Sequence, residues 1–245
     1  TDEVTGKIVT PDFKGRDMGV SMLDILALLK QSKSKNKVVI LDCCFSGKFG
    51  ELGVISSNET VLGEGVTIMT ASSRDQYAVE DGITGHGVFT ELLIQGLLGG
   101  AADVGGNITP ASLYSFVDQS LGAWEQRPLF KTNISRFLPI RKIKPKVPIE
   151  VLRKLSDYFQ NPDSEYSLDP SFEFTNNPEY EIEIKEPYAK DENINKFKEL
   201  QLYESVGLIE PVDEEHMYFA AMNSKSCRLT PLGLHYWKLS KDKRF

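Results

Sequence analysis

Two adjacent cysteines, Cys43 and Cys44, follow the acid Asp42 and precede a turn that contains Ser46 and Gly47. A thiol transfers acyl groups only as a thiolate, so a catalytic cysteine needs a base or cation that lowers its pKa and backbone amides that bind the oxyanion. A turn of small residues can present the Cys44 amide and sulfur to the same carbonyl. The pattern indicates nucleophilic catalysis at Cys44, and the competing interpretation is that both cysteines are core residues.

The cysteine pair ends an aliphatic run at residues 38–41. Such a run predicts a buried strand of a parallel sheet, because both faces of that strand are covered and strict alternation is not required. Catalytic groups collect at the carboxyl ends of such strands. Neighbouring side chains in a strand face opposite sides, which supports a division of the pair into one cysteine at the site and one in the core.

The surrounding elements alternate between strands and amphipathic helices, which predicts an α/β domain with three layers and a largely parallel sheet. Ser21 and Thr109 are predicted helix caps, and Pro110 suits the first position of a helix. The predicted strands are 6–12, 66–70 and the aliphatic run at 38–41 that leads into the cysteine turn, and the predicted helices are 21–29, 88–98 and 110–121.

Three blocks in order carry a family resemblance: Asp42-x-Cys44 with Ser46-Gly47, residues 70–80, and residues 87–93. Together they resemble the caspase-like cysteine peptidases, in particular the metacaspases and their bacterial relatives. The resemblance covers residues 5 to about 140. It implies a three-layer caspase-like fold with Cys44 as the nucleophile.

The resemblance also implies a substrate preference. In metacaspase-like proteins the acid two residues before the cysteine helps to bind Arg or Lys at the residue before the cleaved bond, which assigns that role to Asp42. Asp75 and Glu80, with Asp81, are candidates for a second acid of the same pocket. The other interpretation of Asp42 is a carboxylate that caps backbone amides at the end of its strand.

The catalytic base is the missing part of this pattern. The resemblance implies a histidine at the end of the strand that precedes the cysteine, whereas His86, His216 and His235 all follow Cys44. We expect either that an N-terminal segment upstream of Thr1 supplies the strand and its histidine, as in a processed or truncated chain, or that the protein is an inactive scaffold. His86, between two glycines, suits a loop before a helix better than a base.

The lysines and prolines of residues 140–148 predict a linker. We therefore expect a peptidase domain at 1–143 and a small α+β accessory domain at 144–245. The second domain has predicted helices at 149–159, 195–206 and 229–239 and predicted strands at 208–212 and 216–222, an order similar to winged-helix domains. Its candidate buried residues are Val151, Leu152, Leu155, Tyr158, Phe159, Phe197, Leu200, Leu202, Tyr203, Tyr218, Phe219, Tyr236 and Trp237.

Charge is distributed unevenly between these parts. Acidic and basic residues balance over residues 1–146, so the net charge of −7 lies in residues 147–245. An acidic accessory domain disfavours nucleic-acid binding, which requires basic residues, and favours a protein activator as the partner of residues 147–245.

Composition narrows the setting further. The sequence has no apolar stretch of membrane-spanning length and no signal-peptide pattern at Thr1, and three cysteines do not make a disulfide framework, so we expect a cytoplasmic protein. No zinc spacing, phosphate loop or acidic calcium loop is present, so we predict no cofactor.

These patterns together predict a cysteine endopeptidase that cleaves protein or peptide substrates after Arg or Lys. The resemblance implies a regulatory role in bacterial cell death or anti-phage defence. The alternatives are a catalytically inactive caspase-like scaffold and a transcription regulator that uses the winged helix.

Overall fold

The structure is a computed structural model that describes residues 7–8, 19–42, 63–71, 87–121, 128–136, 138–180 and 184–245. The described residues form a mixed α/β protein with several small sheets. The chain divides into two compact units, Thr1–Ile143 and Lys144–Phe245. In the part of the chain described, no helix has the length and apolar character needed to cross a membrane.

The first unit alternates between strands and helices, and its helices and the strand at 66–70 lie where the sequence predicts them. The helices are α1 (Met22–Gln31), α2 (Val88–Gln95), which continues into a π-helical turn (Gly96–Gly100), and α3 (Pro110–Ser120). The strands are β1 (Lys7–Ile8), β2 (Val20–Ser21), β3 (Lys37–Leu41), β4 (Val66–Thr70), β5 (Asn107–Ile108), β6 (Leu129–Asn133) and β7 (Arg141–Lys142).

The main sheet of this unit has the strand order β3-β4-β6. β3 and β4 are parallel, with Leu41 opposite Thr70, whereas β6 is antiparallel to β4. The β1–β2 and β5–β7 pairs are also antiparallel. Among the strands described, β3 and β4 are thus the single parallel pair, and a largely parallel sheet is not shown.

Strand β4 lies at the centre of the unit, and every one of its residues is buried. Val66 and Ile68 form a core with residues of α1, including Ile25 and Leu29. Met69 belongs to a second core with Phe89 of α2 and Leu113 and Val117 of α3. The two threonines of β4 are buried as well, and Thr67 Oγ1 lies within hydrogen-bond distance of Thr132 Oγ1, at 2.9 Å.

Strand β3 differs from its prediction. Val39 and Leu41 pack against the core of Val66 and Ile68, but Val38 and Ile40 each remain 38% exposed. The prediction of a strand buried on both faces is therefore wrong. Alternation explains the difference, because successive side chains face opposite sides of the sheet and only one of these sides is well covered.

The helix caps of the first unit are as predicted. The Leu23 amide donates to Ser21 Oγ over 3.2 Å at the start of α1. Thr109 caps α3 with a reciprocal pair, since Thr109 Oγ1 accepts from the Ser112 amide and Ser112 Oγ accepts from the Thr109 amide. Pro110 occupies the first turn of α3, where its missing N–H costs no helical hydrogen bond.

The second unit contains short helices around one small antiparallel sheet. Its helices are α4 (Ile149–Leu152), α5 (Leu155–Tyr158), a 3-10 turn (Pro170–Phe172), α6 (Asp191–Ser205), α7 (Met217–Met222) and α8 (Pro231–Lys241). Its strands are β8 (Glu165–Ser167), β9 (Ile209–Val212) and β10 (Ser226–Leu229), in the order β8-β10-β9.

Three predictions for this unit need correction. The helix predicted at 149–159 is two short helices, α4 and α5. The segment predicted as a strand at 216–222 is helix α7, because its buried residues Met217, Ala220 and Ala221 recur at helical spacing rather than at every second position. The partner of β9 is instead β10, which with β8 escaped prediction because both strands are very short.

Most of the predicted core of the second unit is confirmed. Phe197, Leu200 and Tyr203 of α6 are buried, whereas Leu202 and Phe219 are 37% and 44% exposed and were predicted wrongly. Leu202 lies on the outer face of α6, next to Tyr203 in sequence but not on the side of the three buried residues.

Helix α8 packs tightly on the backbone that follows α6. Thr230 caps α8 by accepting from the Gly233 amide over 3.0 Å, and its hydroxyl donates to the Gly207 carbonyl over 2.6 Å. A Cβ at Gly233 would lie 1.8 Å from the Leu208 carbonyl oxygen. Further along, Trp237 is 7% exposed and its Nε1 donates to the Phe159 carbonyl over 2.5 Å.

Candidate functional site

The candidate site is centred on Asp42, which directly follows β3. The parallel register continues to this point, since the Ala71 amide donates to the Leu41 carbonyl over 2.9 Å. Asp42 therefore lies at the carboxyl edge of the two parallel strands, where α/β proteins place their ligands. Its side chain is exposed.

The first turn of α2 holds the Asp42 carboxylate. Thr90 Oγ1 donates to Asp42 Oδ2 over 2.6 Å. This length lies within the normal range for a hydroxyl that donates to an oxygen acceptor. The contact joins the end of β3 to the beginning of α2 across 48 residues of sequence.

Gly87 gives the carboxylate its space. It is the N-cap of α2 and has an ordinary extended conformation, with φ of −65° and ψ of 142°. A Cβ built on Gly87 would lie 2.8 Å from Asp42 Oδ2, closer than real contacts allow. Glycine is thus needed here for close approach of the carboxylate, not for an unusual backbone angle.

The local sequence explains how α2 is rotated so that Thr90 contacts Asp42. Phe89 and Leu93 are four residues apart, and both are buried in the core around Met69. This apolar side fixes the rotation of the helix. Thr90, the residue after Phe89, is then half-buried at the edge of that side, where its hydroxyl contacts Asp42.

The other predicted site residues fall outside the part of the chain that the structure describes. These are the nucleophile Cys44 and the candidate pocket acids Asp75 and Glu80, together with Cys43, Asp81 and His86. The structure therefore places Asp42 and leaves the remaining assignments as predictions.

The two described histidines belong to the second unit. His216 precedes α7 and has its ring 6.1 Å from that of Phe219, and His235 lies on α8. Both are exposed. The third histidine of the chain, His86, lies outside the described residues, so the described residues of the first unit contain no histidine.

Thr90 is a residue that the sequence patterns did not single out. It appeared only as part of the block 87–93, and no spacing rule links it to an acid 48 residues earlier. The sequence nevertheless contained a signal. The block begins with a glycine and has a hydroxyl side chain three residues later, in the first turn of the predicted helix at 88–98.

Cys227 is the third cysteine and differs in kind from a nucleophile. It lies on β10, is fully buried, and its Sγ is 3.9 Å from the Tyr166 carbonyl oxygen. Burial, followed by the charge of Glu165, raises the pKa of the Cys227 thiol to about 12. Such a thiol is protonated at neutral pH and is a structural residue.

Acidic residues cluster where β9 leads into α7. Asp213, Glu214 and Glu215 occupy this connection, beside the exposed ring of Phe219. Helix α6 also has more acids than bases, with Asp191, Glu192, Glu199 and Glu204 against Lys196 and Lys198. These faces are unsuited to a phosphate backbone.

Among the described residues, no three His, Cys, Asp or Glu side chains converge as ligands for a metal ion. Comparison of the chain with protein-family models, with curated proteins and with solved structures finds no match. Function is therefore inferred from the residues themselves and from the geometry around Asp42.

Proposed function

We propose that the protein is a cysteine endopeptidase that cleaves proteins or peptides after Arg or Lys. The observation that carries the proposal is the position of Asp42. Its exposed carboxylate lies at the carboxyl edge of the parallel β3–β4 pair, is held by Thr90, and precedes Cys44 by two residues. A fixed, exposed carboxylate suits a basic side chain through a charge-assisted hydrogen bond.

The packing of the first unit supports the three-layer caspase-like fold as part of this proposal. Residues of α1 pack with Val66 and Ile68 of β4, and residues of α2 and α3 pack with Met69. Side chains at alternate positions of a strand face opposite sides of its sheet, so the helices lie on two sides. A larger parallel sheet would extend from the edge of β3.

In the proposed mechanism the Cys44 thiolate attacks the carbonyl carbon of the bond after a basic residue. The tetrahedral intermediate collapses to a thioester, and the leaving amine takes a proton from a histidine. Water then hydrolyses the thioester and restores the thiol. Asp42 binds the basic side chain, with Asp75 and Glu80 as candidate partners, and a segment upstream of Thr1 supplies the histidine.

The second candidate is a catalytically inactive scaffold of the same fold. The observation that favours it is the distribution of histidines within residues 1–245: none lies between Thr1 and Cys44, and His216 and His235 are exposed in the second unit. A cysteine without a nearby base or cation has an ordinary pKa and is a poor nucleophile at neutral pH. His86 is the remaining candidate base within the chain.

Fluorogenic peptides with Arg, Lys or Asp before the reporter group test the proposal directly. We expect release of the reporter from the Arg and Lys peptides, loss of release in Cys44→Ala, and loss of the basic preference in Asp42→Asn. The assay is run on the chain alone and with the upstream segment restored. Silence under both conditions would reject the peptidase in favour of the scaffold.

For the second unit we propose a winged-helix-like regulatory domain that binds a protein activator. Its strand order β8-β10-β9 supports this, because the first strand pairs with the last, and α6 precedes the β9–β10 pair. The acids of α6 and of the segment before α7 argue against a role in reading DNA. A mobility shift of duplex DNA at low salt would contradict this assignment.

The setting of this activity is part of the same proposal. We place the protein in the cytoplasm, where its cysteines stay reduced, and in a regulatory role such as bacterial cell death or defence against phage. Both placements rest on composition and on the family resemblance. Expression of the active chain in bacteria, compared with Cys44→Ala, would reveal such a role as a growth defect that depends on the thiol.

A further inference from the structure

The Thr90–Asp42 contact allows the proposed specificity to be taken one step further. An ionised carboxylate has about four lone-pair positions, two on each oxygen. Thr90 occupies one position on Oδ2. Among the described residues no other group donates to this carboxylate, and Asp42 is exposed, so its other oxygen is accessible to a ligand.

The two basic side chains use such a carboxylate differently. The guanidinium of Arg is planar and donates two parallel hydrogen bonds, so it needs the plane of the carboxylate to be fixed. The ammonium of Lys is a compact charge with rotatable donors and is less sensitive to that plane. A hydroxyl that fixes the carboxylate should therefore favour Arg over Lys.

We propose that Thr90 is a positioning residue that holds the Asp42 carboxylate in one orientation and thereby makes the site select arginine over lysine. The inference rests on the proposed function, since it assumes that Asp42 meets the basic side chain of a substrate. Gly87 is the second part of this arrangement, because a side chain there would displace Asp42 Oδ2 from its position.

Binding is the most direct test, because it does not require turnover. The full chain with Cys44→Ala is titrated with three fluorescent peptides that differ at one position, which is Arg, Lys or the neutral arginine isostere citrulline. We expect the Arg peptide to bind more tightly than the Lys peptide and the citrulline peptide to bind most weakly. Asp42→Asn should remove the difference between Arg and citrulline.

Substitutions at Thr90 then separate orientation from charge. Thr90→Val keeps the shape but loses the hydroxyl, and we expect Arg affinity to fall about tenfold, the effect of roughly one charge-assisted hydrogen bond, with a clearly smaller fall for Lys. Thr90→Ser retains the hydroxyl and should behave like the parent. A merely structural role for Thr90 would lower both affinities together.

Gly87→Ala gives an independent route to the same result. Its backbone angles suit alanine, so the substitution acts through the 2.8 Å approach to Asp42 rather than through strain. We expect it to reduce the preference for Arg while the melting temperature changes little. This variant keeps the inference testable if Thr90→Val proves unstable.

The outcomes separate this inference from the proposed function. Three outcomes would each overturn the inference. Thr90→Val could bind the Arg peptide as tightly as the parent does, it could lose equal affinity for the Arg and Lys peptides, or no variant could bind the Arg peptide more tightly than the other two peptides. If the expected binding pattern appears but the chain with Cys44 cleaves no peptide with or without the upstream segment, the peptidase proposal fails and the selectivity stands. Cleavage after Arg and Lys that does not change in Thr90→Val would instead support the peptidase and overturn the selectivity.

Discussion

Asp42 shows how one exposed side chain gains a defined orientation from its neighbours. A carboxylate at the end of a strand rotates freely unless something holds it, and an exposed hydrogen bond alone contributes little to stability. Thr90 and Gly87 act on geometry instead, one by donating to Oδ2 and the other by leaving space beside it. At this scale a contact of small energy can decide which ligand fits.

Cysteine reactivity provides a prediction at the same scale. We expect iodoacetamide at neutral pH to label the native protein at Cys44 and to spare Cys227, because burial raises the pKa of the Cys227 thiol to about 12 and shields it. Peptide mass spectrometry after short labelling measures this. Cys44→Ala is the matched control, and full denaturation should expose Cys227.

Rapid labelling of Cys227 in the folded protein would contradict the structure of β10. Labelling of Cys44 as slow as that of Cys227 would instead show that the Cys44 thiol is inaccessible or not activated, which favours the scaffold over the peptidase.

Helix α8 illustrates how an element depends on a residue with no side chain. In an exposed helix, alanine is more favourable than glycine by about 1 kcal/mol. At Gly233 we expect alanine to be less favourable than glycine, because the new Cβ would lie 1.8 Å from the Leu208 carbonyl oxygen. This oxygen belongs to the backbone and cannot move aside at low energetic cost. The glycine thus permits close packing of α8 on the segment between α6 and β9.

We therefore predict that Gly233→Ala destabilises the second unit by about 2 kcal/mol or more, as expected for overpacking against backbone. Urea unfolding followed by circular dichroism measures the loss. Lys238→Ala on the exposed side of the same helix should change stability by less than about 0.5 kcal/mol. A stabilised Gly233→Ala variant would refute the packing of α8 on Leu208.

Elements were predictable where local signals agreed with packing. Thr109 and Pro110 mark the start of α3, and Thr230 and Pro231 mark the start of α8, because cap chemistry depends on residues within one turn. The segment 216–222 was mistaken for a strand because helix α7, with six residues, is too short for the period of a helix to be distinct. The exposure of Val38 depends on which elements cover β3, and the sequence near Val38 does not contain that information.

Of the predicted site residues, the structure describes Asp42, which it puts at the carboxyl edge of two parallel strands, where an aliphatic run before it predicts a strand end. Its role as a pocket acid comes from the family resemblance and stays a prediction. Thr90 was not identified, because its partner is 48 residues away and only the packing of Phe89 and Leu93 fixes the helix rotation that joins them. Contacts between elements require the fold as well as the pattern.

Across the whole molecule the two units differ in their ionisable cores. The buried residues described in the first unit include no ionisable side chain, whereas the second unit buries the Cys227 thiol and the phenols of Tyr203 and Tyr236. Burial raises the pKa of Tyr158, Tyr166 and Tyr203, with the Glu199 carboxylate adding to the effect at Tyr158 and Tyr203. All of these shifts favour the neutral form in the folded state.

Alkaline pH should therefore destabilise the second unit selectively. A group whose pKa is higher in the folded than in the unfolded state stabilises the folded state fully at pH values below its unfolded pKa. For the Cys227 thiol the unfolded pKa is about 9, and its contribution is lost as the pH rises toward its folded pKa of about 12. We expect the melting temperature of the second unit to fall steadily above pH 9. Circular dichroism melts from pH 7 to pH 11 measure it.

The control for this titration is Cys227→Val, which replaces the thiol with a slightly larger apolar side chain that does not titrate. The slope of melting temperature against pH should become shallower in this variant. A melting temperature that is constant up to pH 11 would show that these groups are accessible to solvent in the folded protein.

The burial of Trp237 has a spectroscopic consequence. The chain has two tryptophans, Trp124 in the first unit and Trp237 in the second. Trp237 is enclosed, donates to the Phe159 carbonyl and has the Lys241 ammonium 4.5 Å from the centre of its ring. Its emission should lie toward the blue in the folded state and shift to the red on unfolding. A Trp124→Phe chain thus carries an intrinsic fluorophore that reports on the second unit alone, without any added dye.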